Sequence, residues 1–166
     1  MKPIKLLVAV IILFTSMGSL NAQEKKLIGG NSLNVIIPQG TLANKYDHGF
    51  GIYANYDYNF NEHFAARFDL GWNDISGPEI NFIDSDGNYH YDHPNMSVWE
   101  FSAGLKAQVS IFYIEARGGY YSGVNSWGYT PAVGLRIKKI DLQGNYTFAG
   151  DNEWASVRLA YYWGTD

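Results

Sequence analysis

The chain has 166 residues and a formal net charge of -4, the length of one domain and the wrong sign for a basic nucleic-acid binder. It contains no cysteine, which excludes a disulfide framework, a thiolate metal site, a catalytic cysteine and a lipidated cysteine behind a leader. Charged residues are only 17%, against 18 glycines and 16% aromatics; this is too aromatic for disorder and too glycine-rich for a helical bundle, and it points to strands.

In chain order, the first segment is a leader. Lys2 and Lys5 precede the apolar run Leu6 to Phe14, and small polar residues follow from Thr15 to Ser19. A charged start, a short apolar stretch and a small-residue exit describe a secretory signal peptide over residues 1-22, cleaved before Gln23. The apolar run, about nine residues, falls well short of the roughly 20 that a membrane-spanning helix needs.

From Lys26 onward the hydrophobic pattern has period 2, the signature of strands with two different faces. The spacing predicts eight of them: Leu27 to Ile37, Phe50 to Tyr58, Phe64 to Trp72, Ser97 to Val109, Phe112 to Tyr121, Tyr129 to Ile137, Ile140 to Phe148 and Trp154 to Trp163. The seventh is the clearest, with Ile140, Leu142, Gly144, Tyr146 and Phe148 on one side and Asp141, Gln143, Asn145 and Thr147 on the other. The first carries one exception, Asn31, on its apolar side. Connections after strands two, four and six are short, whereas those after one and three, Pro38 to Asp47 and Asn73 to Met96, are long. An even count with short and long connections alternating fits an all-β, up-and-down antiparallel barrel over residues 23-166, its short turns and both strand ends at one rim.

Periodicity alone does not say which face points outward, because a soluble barrel buries its apolar side. The aromatics decide. On the apolar faces they sort by height: Tyr56, Tyr58, Phe64, Phe112, Tyr161 and Trp163 near the short turns, and Trp72, Trp99, Phe101, Tyr120, Tyr129, Tyr146 and Phe148 near the long loops. Between them lies an aliphatic band that includes Ala54, Ala103, Leu105, Val133 and Leu159, with Phe68 the one aromatic near mid-height. Two belts of amphipathic rings around an apolar band match the two interfaces of a bilayer, which makes this a transmembrane β-barrel.

The run Pro38-Gln39-Gly40-Thr41-Leu42, the segment Tyr46 to Gly51, the stretch Tyr56-Asp57-Tyr58-Asn59-Phe60 and the strand Phe64 to Gly71 resemble the small outer-membrane β-barrel proteins of the porin-like and OmpX/OmpA type. The resemblance spans essentially the whole chain after the leader and rests on patterning more than on a diagnostic motif. It implies residence in the outer membrane of a Gram-negative bacterium after leader cleavage, contact with outer-membrane lipid and lipopolysaccharide, and delivery by the barrel-insertion machinery. Relatives often end their last strand on an aromatic residue; here Gly164, Thr165 and Asp166 follow Trp163.

If the polar faces line the lumen, they place Asp57, Asp69, Glu100, Glu115 and Asp141 there with Arg67, Lys106, Arg117, Arg136 and Arg158, five charges of each sign. An eight-stranded barrel has room inside only for its own side chains. Charges so confined must be compensated, and the mixed signs argue against a selectivity filter, which uses rings of one sign.

Other candidate chemistry is sparse. His48, His63, His90 and His93 are the residues able to act as a base near neutral pH, and His90 and His93 fall on opposite faces of an extended segment. No nucleophile elbow, His-Glu-x-x-His helix or phosphate loop occurs, and no cofactor is called for. Asp84, Asp86 and Asn88 alternate like the opening of a calcium loop, but glycine is fourth and Asn95 stands where the closing glutamate belongs. The pair Asp86-Gly87 between Ile80 to Ile83 and Tyr89 to Tyr91 reads instead as a hairpin turn. The expected function is therefore a filled barrel with a structural or surface-interaction role through its long loops. A narrow channel and a lipid-modifying enzyme are the alternatives. The Asn73 to Met96 connection contains acidic residues and no Lys or Arg, so its expected partners are divalent cations or basic surfaces.

Overall fold

Alternation of apolar and polar residues forces an extended backbone here, because only a pleated strand sends neighbours to opposite sides. A computed structural model describes residues 27-83, 89-92 and 94-163. It contains strands β1 (Leu27–Gln39), β2 (His48–Asn59), β3 (Phe64–Ser76), β4 (Ile80–Ile83), β5 (Tyr89–Asp92), β6 (Asn95–Val109), β7 (Phe112–Tyr121), β8 (Ser126–Ile137), β9 (Ile140–Ala149) and β10 (Asn152–Trp163). Eight of these close into a barrel in the order β1-β10-β9-β8-β7-β6-β3-β2, and β4 pairs with β5 as a separate two-stranded sheet. Every pairing is antiparallel, and β1 seals the ring by pairing with β2 (Leu33↔Ile52) and with β10 (Leu33↔Leu159).

The outward face is apolar at its centre. Leu33, Leu105, Ile114 and Val133 are each more than 60% exposed, and Val157 and Leu159 stand out beside them. Charged Asp57, Arg67, Asp69, Arg117 and Arg158 are buried on the inward face. This inversion of the soluble pattern is a closed, eight-stranded transmembrane β-barrel, in which no strand edge is left unpaired in lipid.

Several strands outrun their sequence pattern toward the loop rim: β3 reaches Ser76 and pairs through Asn73↔Val98 to Ser76↔Asn95, and β8 starts at Ser126. Beyond the bilayer the outward side no longer has to be apolar, so the alternation stops while the hydrogen-bond ladder continues. The expected hairpin is present in the backbone, with Ile80↔Asp92 and Ile83↔Tyr89 paired. The leader, the turn residues Asp84, Asp86 and Asn88, and His93 lie outside the described residues.

At the opposite rim the connections are tight. Ser110 and Lys138 open two-residue turns there with φ of 57° and 54°, whereas the equally short β9–β10 turn, opened by Gly150 with φ of 61°, lies at the loop rim. Two-residue hairpin loops favour a positive φ at that position because it matches the strand twist. Gly150 adopts it freely, whereas Ser110 and Lys138 carry a Cβ against it.

Candidate functional site

Alternation within each strand sends one set of side chains into the lumen, and the polar ones meet there as a single network. Asp57 lies on β2, Arg67 and Asp69 on β3, Glu100 and Lys106 on β6, Glu115 and Arg117 on β7, Arg136 on β8, Asp141 on β9 and Arg158 on β10. All ten face inward, and only Arg136 keeps a little access, with its side chain 8% exposed.

Two aspartates organise the network. Asp57 faces three cations: Arg67 (Nη1 to Oδ1, 3.3 Å), Arg136 (Nη2 to Oδ2, 2.9 Å) and Lys106, whose ammonium bonds the same Oδ2. Asp69 faces three arginines: Arg67 donates from Nε to Oδ1 at 2.8 Å, while Arg117 and Arg158 both reach Oδ2. Glu115 links the two clusters, lying 3.6 Å from Arg67 and 3.0 Å from Arg117 and accepting a bond from Gln143 at 3.1 Å. Arg136 extends the chain to Asp141 at 3.0 Å. Such pairs offset much of the desolvation cost of each ion, and neutral donors such as the Gln143 amide on Glu115 add hydrogen bonds to the carboxylates.

Glu100 departs from this scheme. Among the described residues it forms no ion pair; Tyr53 donates to its Oε2 at 2.9 Å and Ser102 to its Oε1 at 2.8 Å. Its compensation comes at contact distance from neutral hydroxyl donors, whereas the other four lumen carboxylates have direct ion pairs.

The periodicity also hides a set of inward-facing aromatics. The Tyr113 hydroxyl donates to Asp141 at 2.6 Å, and that of Tyr53 also reaches Asn73 at 2.7 Å. The Arg158 guanidinium stacks 3.9 Å from the Tyr53 ring and that of Arg136 3.8 Å from the Tyr162 ring. Two glycines make room: Gly71 pairs directly with Tyr53 and Gly134 with Tyr113, and a Cβ at either would collide with the facing ring. Read as belt residues, aromatics are sought on the apolar face only. The signal for these is a tyrosine on the charged face directly opposite a glycine on the next strand.

At the loop rim the interior changes character. Ile36, Ile75, Val98, Tyr121, Ala149 and Trp154 converge there as an apolar cluster, with Leu42 brought over them by a single 3-10 turn, Leu42–Asn44. The Thr41 hydroxyl ties that turn to the adjacent β9–β10 turn by donating to the Asp151 carbonyl at 2.6 Å, and the Tyr121 and Trp154 rings meet edge to face at 5.5 Å. A Tyr121–Thr130–Thr147 hydroxyl chain, 2.7 and 2.9 Å, joins the apolar cluster to the polar interior below.

On the outside, the thirteen aromatics assigned to the belts all face outward, either exposed or partly buried: Tyr56, Tyr58, Phe64, Trp72, Trp99, Phe101, Phe112, Tyr120, Tyr129, Tyr146, Phe148, Tyr161 and Trp163. Trp127, which the sequence reading omits, belongs with them; it is 76% exposed and packs edge to face on Tyr120. The histidines are dispersed: His48 opens β2 at the loop rim, and His63 precedes β3 at the turn rim, 3.5 Å from Glu62. The side chain of His90 and the candidate ligands Asp84, Asp86 and Asn88 lie outside what is described.

No protein-family model matches the chain, and no curated protein matches it. Solved structures do. A designed transmembrane β-barrel superimposes with a TM-score of 0.49 at 13% identity, over 86% of this chain and 100% of its own. Ail, the attachment invasion locus protein of Yersinia pestis, superimposes from its crystal structure with a TM-score of 0.44 at 14% identity, over 82% of this chain and 95% of its own. The same protein in a phospholipid bilayer nanodisc gives 0.46 at 13% identity, over 82% and 99%.

Proposed function

We propose that this protein is an outer-membrane barrel, exported by its leader and inserted with its loop rim outside the cell, whose lumen is a filled strut and whose work is done by the loops. The filled interior carries the reading. Asp57 and Asp69 each hold three cations within the barrel, and the apolar cluster under Leu42 covers the loop-rim end. A solute path would require breaking those pairs, which costs about 3 to 5 kcal/mol for each charge left unpaired.

That leaves the loop rim as the working surface. Among the described residues it carries exposed Asp47, Glu79 and Asp151 against one exposed cation, Lys45, and from it the β4–β5 hairpin extends. Such a field favours basic partner surfaces or divalent cations and disfavours polyanions, with a range of about 10 Å at 0.1 M salt. Recordings in planar bilayers from the refolded chain lacking residues 1-22 test the reading. Absence of a steady current, with salt-sensitive binding of a polycationic probe that disappears when residues 80-92 are shortened, is the expected result. A large, steady conductance overturns it in favour of a channel.

A further inference from the structure

Phe68, the aromatic that stands near mid-height between the two belts, walls an open groove of about 410 Å³ on the outward surface. The strand pairing shows why a groove exists. One outward row runs Tyr56↔Phe68↔Ala103↔Gly118↔Tyr129 across β2, β3, β6, β7 and β8, placing the two smallest side chains side by side between large rings. The next row toward the loop rim, Leu70↔Phe101↔Tyr120↔Trp127, is larger and contributes Leu70, Phe101 and Trp127 to the lining of the groove. A methyl group added at Gly118 would meet only the Gly128 carbonyl oxygen, at 3.9 Å, so this glycine is not required by any close approach within the barrel. A glycine in a strand forfeits apolar contact area and ordering, and it is expected where something external comes close.

We propose that the groove seats one acyl chain of a lipid from the leaflet at the loop rim, with Ala103 and Gly118 as its floor, Phe68 and Phe101 as its walls and Trp127 at its mouth. The occupant follows from position: the groove is continuous with the outward apolar band, whose surrounding medium is hydrocarbon on the transmembrane reading, and this inference rests on that reading. Phe68 is 50% exposed, Phe101 55% and Trp127 76%, so three rings offer faces or edges to a chain lying along the strands. Trp127, the second residue of β8, stands at the loop-rim end, where an amphipathic indole favours the headgroup level and a chain would enter. A chain held there gains contact on three sides instead of the one that a smooth barrel wall gives.

The test uses the refolded chain in phosphatidylethanolamine vesicles doped with a phosphatidylcholine that carries a diazirine at mid-chain. Photolysis is expected to concentrate label on peptides containing Phe68, Phe101 and Ala103. Gly118→Leu, which fills the floor, should abolish that concentration, and Phe68→Ala, which removes a wall, should reduce it. Gly144→Leu is the control: that glycine also faces outward with open space above it, but on β9, away from the groove. A heat-dependent gel shift reports that each variant is folded. Label spread evenly around the band, or unchanged by Gly118→Leu, overturns the acyl-chain seat while leaving the membrane reading intact. A cross-linked dimer that Gly118→Leu removes assigns the groove to a second copy instead. Absence of label from the whole outward face overturns the membrane reading itself.

Discussion

The two ends of the lumen solve the same packing problem with opposite chemistry. Toward the turn rim the space between strands is filled by ions, with Lys106, Arg67 and Arg136 around Asp57 and Arg67, Arg117 and Arg158 around Asp69. Toward the loop rim it is filled by Ile36, Ile75, Val98, Trp154 and the inserted Leu42. An apolar filling tolerates small displacements, since dispersion is non-directional and a neighbour can shift into a gap. An ionic filling does not: each buried charge is compensated only at particular distances and angles, so loss of one member strands the others. The charged end therefore specifies the barrel's register, and the apolar end closes it.

Removing a keystone separates the two most sharply. Asp69→Asn keeps the volume but leaves Arg67, Arg117 and Arg158 without their shared carboxylate, and the expected loss is about 3 to 5 kcal/mol, enough to threaten folding. Urea unfolding in vesicles, followed by the heat-dependent gel shift, reads it. A loss under 1 kcal/mol would mean that solvent reaches the arginines.

At the apolar end, Leu42→Ala is expected to cost less, about 2 to 3 kcal/mol, because a rim residue on a 3-10 turn can settle partly into the space it leaves. The same urea titration measures it. Little change should appear at the charged end, so combining Leu42→Ala with Asp69→Asn should give additive losses.

The boundary between the regions lies at Glu100, and Tyr53→Phe probes it. That change removes one hydroxyl that serves Glu100 and Asn73 together, while keeping the ring on which Arg158 stacks. A hydrogen bond to a charged group contributes about 1.5 to 3 kcal/mol, and the lower end is expected here because Ser102 still serves the carboxylate. A loss as large as that for Asp69→Asn would show that Glu100 depends on Tyr53 alone.

Much of this contrast is written in the sequence, unevenly. The barrel is legible because lipid outside and polar groups inside impose period 2 on every strand, as Ile140 to Phe148 shows residue by residue. The ten lumen charges are legible for the same reason. The apolar cluster is less so, because Ile36, Ile75 and Val98 occur singly on the polar faces and acquire meaning only when β1, β3 and β6 are aligned at one height. Pairing partners such as Asp69 with Arg158, 89 residues apart, depend on strand tilt across the ring, which no local pattern encodes.

The smallest expected effect sits in the turns beneath the charged end and tests how rigidly that end holds its backbone. Ser110 and Lys138 adopt φ of 57° and 54°, a conformation disfavoured for residues with a Cβ. Glycine at either position relieves a cost of about 1 kcal/mol in the folded barrel but adds freedom to the unfolded chain, so a net gain of about 0.5 kcal/mol or less is expected. The two turns differ in one respect. Gln108 donates from Nε2 to the Ser110 carbonyl at 2.9 Å, a bond that Ser110→Gly retains because it involves the backbone. Similar small gains from Ser110→Gly and Lys138→Gly, read as a shift in urea midpoint, would show that the strain is confined to the turns and that the ionic layer above fixes the strands independently. A clear loss from either would mean that the side chain at the turn helps set the register, making the charged end dependent on its rim.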